Sequence, residues 1–143
     1  METTLDLLID EMTIILGGSP LQILEKYHGC SHDILVLESS SGSRWILRVA
    51  KDDFAADVAN RSVDIMKHIL DKRPALPIPA IIHTGQRYSI LTFIEGIPLL
   101  SWNTRSLSDQ RRHSLLRGFA KFLHQLWTCP APVETSKICY NEF

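Results

Sequence analysis

The sequence predicts an α+β fold in which one helix packs on a five-stranded antiparallel sheet, with another helix before the sheet and one after it. Short apolar runs separated by small, polar turns indicate three strands between residues 21 and 49 and two more between residues 81 and 93. Apolar residues at spacings of three and four indicate helices elsewhere. Because the turns are short, we expect the first three strands to form an antiparallel meander.

A short amphipathic helix is predicted within residues 1–20, ahead of the sheet. Its apolar residues recur at helical spacing: Leu5, Leu8, Ile9, Met12, Ile15 and Leu16. Gly17, Gly18 and Pro20 follow, and glycine and proline are the residues that most often end helices.

The first three strands are predicted at residues 21–27, 34–38 and 44–49. A small, polar linker over residues 29–33 suits a tight turn between the first two strands, and the serine-rich residues 39–43 suit a second turn. Together these residues predict the meander.

A helix is predicted next, over residues 55–70, and Pro74 ends it. One stripe of this helix is expected to face the sheet: Val58, Ser62, Ile65, Met66, Ile69 and Leu70. The proline-rich residues 76–80 must run extended, and they lead into strands at residues 81–83 and 88–93.

The last predicted helix has Ser108 as its N-cap and carries apolar residues around much of its circumference. These are Leu115, Leu116, Phe119, Phe122, Leu123, Leu126 and Trp127. Such a helix needs cover on more than one side, so we expect self-association or a protein partner through residues 108–127. Residues 128–143 are expected to form an irregular tail.

Charge and cysteine content exclude several classes of protein. Fifteen Lys and Arg residues against sixteen Asp and Glu residues leave a net charge of -1, so we expect no nucleic acid and no membrane partner. The acidic N-terminal segment does not resemble a secretory signal, which predicts a cytoplasmic protein. Cys30, Cys129 and Cys139 lack the spacing of a disulfide framework or a zinc site and are expected to be free thiols.

Several ordered landmarks carry a family resemblance. They are Trp-Ile-Leu-Arg-Val at 45–49, Leu-Pro-Ile-Pro at 76–79, the strand and hinge at 89–96 and Ala-Lys-Phe-Leu-His-Gln-Leu at 120–126. Over residues 21–127 the chain resembles the aminoglycoside-phosphotransferase and choline-kinase-like family, including its fungal members. This resemblance implies a protein-kinase-like N-lobe at residues 21–97, followed at 98–127 by a linker and the first helix of an otherwise missing C-lobe.

The resemblance implies that Arg48 holds the phosphates of ATP and that Gly29, Ser31 and His32 form the turn above them. On residue chemistry alone, a cation among apolar neighbours in a strand needs an anionic partner or an edge position with its head in water, and both readings stay open. The turn could equally be an ordinary hairpin turn. Lys51 is a second candidate cation, but strand alternation places it on the other face.

The hinge supplies the remaining candidate residues. Backbone groups of Thr92, Phe93 and Ile94 are expected to receive the adenine edge, and Ile46 is expected to join Phe93 in apolar contact with the base. The alternative is a plain core strand. His124 stands alone on its helix and is expected to be structural rather than catalytic.

The sequence departs from the family in two ways. Ser62 occupies the helix position where the family has a glutamate that pairs with the cation, so either another group positions Arg48 or nucleotide binding is weak or vestigial. The family's His-Gly-Asp catalytic loop and its Ile-Asp-Trp-like metal segment do not occur in the sequence.

We therefore expect a truncated or partial small-molecule kinase that is inactive alone, has no catalytic or metal-binding residues and needs a complete C-lobe for Mg²⁺. The alternative is a non-catalytic interaction module that uses the C-terminal helix. The resemblance does not name the phosphate acceptor.

Overall fold

The computed structural model describes residues 2–96 and 106–131, with side chains from residue 5 onward. In chain order the elements are α1 Glu2–Ile15, β1 Leu21–His28, β2 His32–Ser39, β3 Arg44–Ala50, α2 Asp53–Lys72, β4 Ile81–Thr84, β5 Tyr88–Thr92 and α3 Asp109–Trp127. The predicted α+β fold is confirmed, since every predicted strand and helix is present. The N-terminal helix ends as expected, with Gly17 and Gly18 both at positive φ.

The five strands form one antiparallel sheet in the order β1-β2-β3-β5-β4. Leu24 is the extra residue of an irregularity in β1, because Ile23 pairs with Leu37 and Glu25 with the adjacent Val36. The strand β1 lies at one edge of the sheet and β3 at its centre. The centre of the sheet is therefore where a side chain has neighbours on both sides.

One face of the sheet, which we call the α1 face, is covered by α1. Met12 of α1 is fully buried and belongs to a cluster with Leu35, Leu37, Leu47 and Ile90 of the sheet. Further apolar residues of α1 pack against this cluster: Leu5, Leu8, Ile9 and Ile15. This face is the main apolar core of the sheet.

The opposite face, which we call the Arg48 face, contacts α2. Arg48 pairs with Ile34 of β2 and Ser89 of β5, and paired residues project to the same side. At the end of β3, Ala50 packs with Ala55 and Ala56 from the first turn of α2. The sequence predicted one helix on the sheet; the structure has α1 on one face and α2 on the other.

The buried side of α2 matches the predicted stripe only in part, since Ser62, Met66, Ile69 and Leu70 are partly buried. Val58 and Ile65 are 44% and 43% exposed, whereas Ala55, Ala56 and Val63 are buried and Ser62 is partly buried. Asp52 caps the helix, and its Oδ1 accepts a hydrogen bond of 2.7 Å from the Ala55 amide. At the start of α2, two alanines therefore pack against the end of β3.

The chain divides into two compact units, one with residues 1–64 and 79–93 and one with residues 65–78 and 94–143. In the second unit, the His68 Nε2 donates to the Pro130 carbonyl at 2.7 Å and the Arg73 Nη2 to the Thr128 carbonyl at 3.3 Å. Ser108 caps α3 as predicted, its Oγ accepting from the Arg111 amide. The domain boundaries inferred from the sequence stay predictions.

Parts of the predicted linker and tail, residues 97–105 and 132–143, lie outside the described residues, as does Cys139. Cys30 and Cys129 are free thiols. In the described part of the chain, none of the helices is both long and apolar enough to cross a bilayer.

Candidate functional site

At the centre of the Arg48 face, the guanidinium of Arg48 donates hydrogen bonds to uncharged oxygen atoms. The Arg48 Nε donates to the Ser89 Oγ at 3.2 Å. Its Nη2 donates to the Ser62 Oγ at 3.2 Å and to the Ala59 carbonyl at 3.3 Å. The prediction that Ser62 takes the helix position facing the strand cation agrees with this contact.

Arg48 keeps its charge without a carboxylate partner. Among the described residues, no Asp or Glu forms an ion pair with it. The side chain is partly buried, and this burial lowers the pKa of its guanidinium, because the charged form loses hydration. The reading of Arg48 as an edge arginine with its head in water does not fit, since β3 is central and the head is hydrogen-bonded to the sheet and α2.

The loop between β1 and β2 is shorter than predicted, because β2 begins at His32 rather than at residue 34. The Gly29 amide donates to the His32 carbonyl at 2.9 Å, and a Cβ on Gly29 would lie 2.8 Å from that same oxygen. Glycine is therefore the residue that fits this tight closure. Ser31 is exposed, and its carbonyl accepts a 3.0 Å hydrogen bond from the Lys51 amide.

Lys51 holds this loop from the side opposite to Arg48. Its Nζ donates to the Gly29 carbonyl at 2.6 Å and lies 3.6 Å from the Asp33 Oδ1. The His28 Nδ1 lies 3.0 Å from the same carboxylate oxygen, and this hydrogen bond holds the pKa of Asp33 below its usual range. Lys51 therefore acts as a support of the loop, which agrees with its predicted place on the other face.

His32 projects to the Arg48 face, since it pairs with Ala50 in the register that pairs Ile34 with Arg48. Its Nε2 is buried and has no hydrogen-bond partner among the described residues. A buried ring nitrogen without a partner is uncommon in proteins, which marks this end of the face as polar and unsatisfied.

The other end of the Arg48 face is apolar. Ile46 pairs with Leu91, and the Phe93 ring lies 5.8 Å from the guanidinium carbon of Arg44. The Thr92 amide donates to the Ala80 carbonyl and its Oγ1 accepts from the Ala80 amide, both at 2.9 Å, so Thr92 already has partners in the protein. Ile94 belongs to the second unit and is exposed.

The structure thus places seven of the eight predicted site residues in the first unit, and Ile94 alone among them in the second. The seven are Gly29, Ser31, His32, Ile46, Arg48, Thr92 and Phe93. Their roles stay predictions. Ser89 was not among the predicted site residues, although a small polar residue amid the apolar strand Tyr88–Thr92 was a usable signal. The Ala59 carbonyl was not predicted either, because no side-chain pattern reveals a backbone group. In the described part of the chain, no cluster of His, Cys, Asp and Glu residues is suited to hold a metal ion.

This architecture is the N-lobe of the protein-kinase-like fold, with α1 on one face of a five-stranded sheet and a strand cation facing α2 on the other. The family model described as the phosphotransferase enzyme family (APH) matches residues 27–137. The chain belongs to this family.

Solved structures agree in fold. APH(2'')-IIa in complex with gentamicin superposes with a TM-score of 0.76 at 17% sequence identity, covering 94% of this chain and 44% of that one. The streptomycin-ATP ternary complex of APH(2'')-IIa gives 0.71 at 18% identity, covering 89% and 41%. The ADP-bound aminoglycoside phosphotransferase APH(2'')-Ib gives the same values.

The chain therefore spans less than half the length of these structures. The search of curated proteins found no match.

Proposed function

We propose that residues 1–143 form the nucleotide-binding portion of a small-molecule phosphotransferase and hold ATP against the Arg48 face. The observation that carries the proposal is Arg48 itself, a partly buried cation on a central strand with no carboxylate partner among the described residues. A desolvated charge of this kind is favourable only when an anion meets it, and a nucleotide phosphate is such an anion. Two of the similar structures carry ATP or ADP.

The order of residues along the face fits an extended nucleotide. Ile46 and Phe93 offer apolar contact for a base at one end, Arg48 lies in the middle, and the loop of Gly29 and Ser31 lies at the other end. From Ile46 to Ala50 a strand advances by roughly 13 Å, enough to separate a base from its phosphates. Backbone groups of Phe93, just after β5 in the same unit, would receive the adenine edge in this arrangement.

Transfer of the phosphoryl group needs more than this face supplies. An aspartate that accepts the acceptor's proton and carboxamide and carboxylate ligands for Mg²⁺ are required. The described residues contain no group of acidic, histidine or cysteine side chains suited to hold a magnesium ion. We therefore propose that residues 1–143 bind nucleotide, more weakly than a complete kinase, and do not transfer phosphate alone. We also propose a cytoplasmic location, because ATP is supplied there.

A thermal-shift titration of residues 1–143 with ATP, with and without Mg²⁺, tests nucleotide binding. We expect a concentration-dependent rise in Tm that is lost in Arg48→Ala, because the main phosphate contact is removed. Arg61→Ala is the matched control, since Arg61 is an exposed arginine of α2 next to Ser62 and its removal changes the net charge equally. Absence of a shift in the unmodified protein, or an equal loss in both variants, would refute the proposal.

A second candidate function is favoured by the exposure of α3. None of its residues is buried, and Leu116, Phe119 and Trp127 are largely exposed, with Trp127 at 90%. We infer that a non-catalytic module could dock a protein partner or a second copy through residues 108–127. Sedimentation analysis of the unmodified protein and of Phe119→Asp separates the candidates: a dimer that Phe119→Asp dissolves, without any ATP shift, favours the module.

A further inference from the structure

Three neutral oxygens hold Arg48, from three different residues on two elements. The Ser89 Oγ in β5 takes the Nε, while the Ser62 Oγ and the Ala59 carbonyl in α2 take the Nη2. The Nη1 has no hydrogen-bond partner among the described residues. Two of the three guanidinium nitrogens thus have fixed acceptors, and the hydrogens of the third are not used by the described residues.

The hydroxyl hydrogen of Ser62 is already engaged in a hydrogen bond. The Ser62 Oγ donates to the Ala59 carbonyl at 2.7 Å, so toward Arg48 the same oxygen can act only as an acceptor. Ser89 is only 2% exposed, and its Oγ accepts from Arg48 inside the sheet. Both hydroxyls therefore present lone pairs to the guanidinium in fixed positions.

A neutral acceptor orients a cation but leaves its charge in place. A carboxylate at position 62 would orient Arg48 equally well and would also cancel its charge at close range. With serine there, the guanidinium carries a full positive charge that burial has stripped of part of its water. An arriving phosphate then supplies a negative charge that none of the described residues provides to this guanidinium.

We propose that Ser62 and Ser89 are positioning residues that aim Arg48 along the sheet face and leave its charge available for a phosphate group. This inference rests on the proposed nucleotide site, and it names the groups that replace the acidic partner. The competing explanation is that the two serines merely fill small spaces between α2 and the sheet, in which case alanine would serve as well.

The experiment uses residues 1–143 and two independent readouts on the same variants. The first is the affinity for inorganic tripolyphosphate, measured by calorimetry at low ionic strength. The second is the Arg48 Nε–H signal in ¹⁵N-labelled protein without ligand, because a held guanidinium gives a sharper, more slowly exchanging signal than a free one. Ser114→Ala, at an exposed serine of α3, is the control for serine removal as such.

Ser62→Ala and Ser89→Ala should each weaken tripolyphosphate binding about tenfold, as expected for the loss of one hydrogen bond to a charged group. Both should also speed exchange of the Arg48 signal. Ser62→Thr keeps the hydroxyl and should restore both readouts. Ser62→Glu should hold the Arg48 signal as sharply as serine does and still bind tripolyphosphate less tightly than the unmodified protein, because the charge is now cancelled.

The inference is overturned if the two alanine variants match Ser114→Ala in both readouts, or if Ser62→Glu binds tripolyphosphate as tightly as the unmodified protein. The proposed function fails separately, when the unmodified protein binds neither ATP nor tripolyphosphate. In that event the Arg48 signal still decides whether the serines position the guanidinium.

Discussion

The two faces of the sheet differ in the polarity of the side chains that they carry. The α1 face is apolar and closed, with Met12, Leu37, Leu47 and Ile90 fully buried. The Arg48 face has alanines and serines against α2, a cation without a carboxylate and a histidine nitrogen without a partner among the described residues. Such a division separates the apolar residues that stabilise the fold from the polar residues to which we assign the proposed nucleotide site.

The largest effect should come from opening the α1 face. Met12→Ala would remove a fully buried side chain and leave a cavity, so the free energy of unfolding should fall by about 2–5 kcal/mol. Denaturant unfolding followed by circular dichroism measures this loss. Ile14→Ala is the control on the same helix, since Ile14 is exposed and its removal should change stability by less than about 0.5 kcal/mol. Equal effects of the two variants would show that Met12 of α1 does not pack into the core of the sheet.

A smaller effect on stability should come from ionising Tyr88, which packs against the apolar cluster of the α1 face. Burial, and then the hydrogen bond that the Tyr88 Oη donates to Glu11 at 2.6 Å, raise the pKa of Tyr88 to about 12. The unfolded chain loses this proton near pH 10 while the folded protein keeps it, so stability should fall as the pH rises from about 10 to about 12. Because the hydroxyl is near solvent, we expect about 1 kcal/mol.

Unfolding free energies at several alkaline pH values check this second expectation. Tyr88→Phe cannot ionise at this position, so its stability should vary less with pH over the same range. A variant whose alkaline profile matches that of the unmodified protein would place the titration elsewhere.

The smallest effect on stability should come from the Arg48 face. Arg48→Met would remove a partly buried charge that has no carboxylate partner among the described residues, together with its hydrogen bonds. These opposing terms should leave stability within about 1 kcal/mol of the unmodified protein. Denaturant unfolding of Arg48→Met beside Arg61→Met measures the difference. A loss as large as that of Met12→Ala would mean that Arg48 stabilises the fold, and the contrast between the faces would then be wrong.

Local patterns in the sequence predicted most of the fold. Alternation in residues 44–49 placed Arg48 and Ile46 on one face, and the helix register brought Ser62 opposite Arg48. Element ends were less predictable, because His32 is drawn into β2 by pairing with Ala50, a contact between distant residues.

The errors have a common physical cause. Helical periodicity placed Val58 and Ile65 on the stripe that faces the sheet, but both are more than 40% exposed. At the start of α2, Ala55 and Ala56 pack against Ala50 of the sheet instead. That α1 covers the face of the sheet opposite to Arg48 could not be inferred either. Periodicity shows that a helix has an apolar side, but it does not show which surface packs against that side. The Ala59 carbonyl at Arg48 is a backbone group and leaves no trace in residue types.

The irregularity at Leu24 bears on how the protein behaves at high concentration. An edge strand offers unpaired amide and carbonyl groups on which a foreign strand can add, and proteins that leave such an edge flat tend to form fibrils. Here the extra residue interrupts the regular register of β1, and the charged Glu25 and Lys26 follow it directly. The β1 edge of the sheet is thus a poorer template for intermolecular strand addition than a regular strand would be.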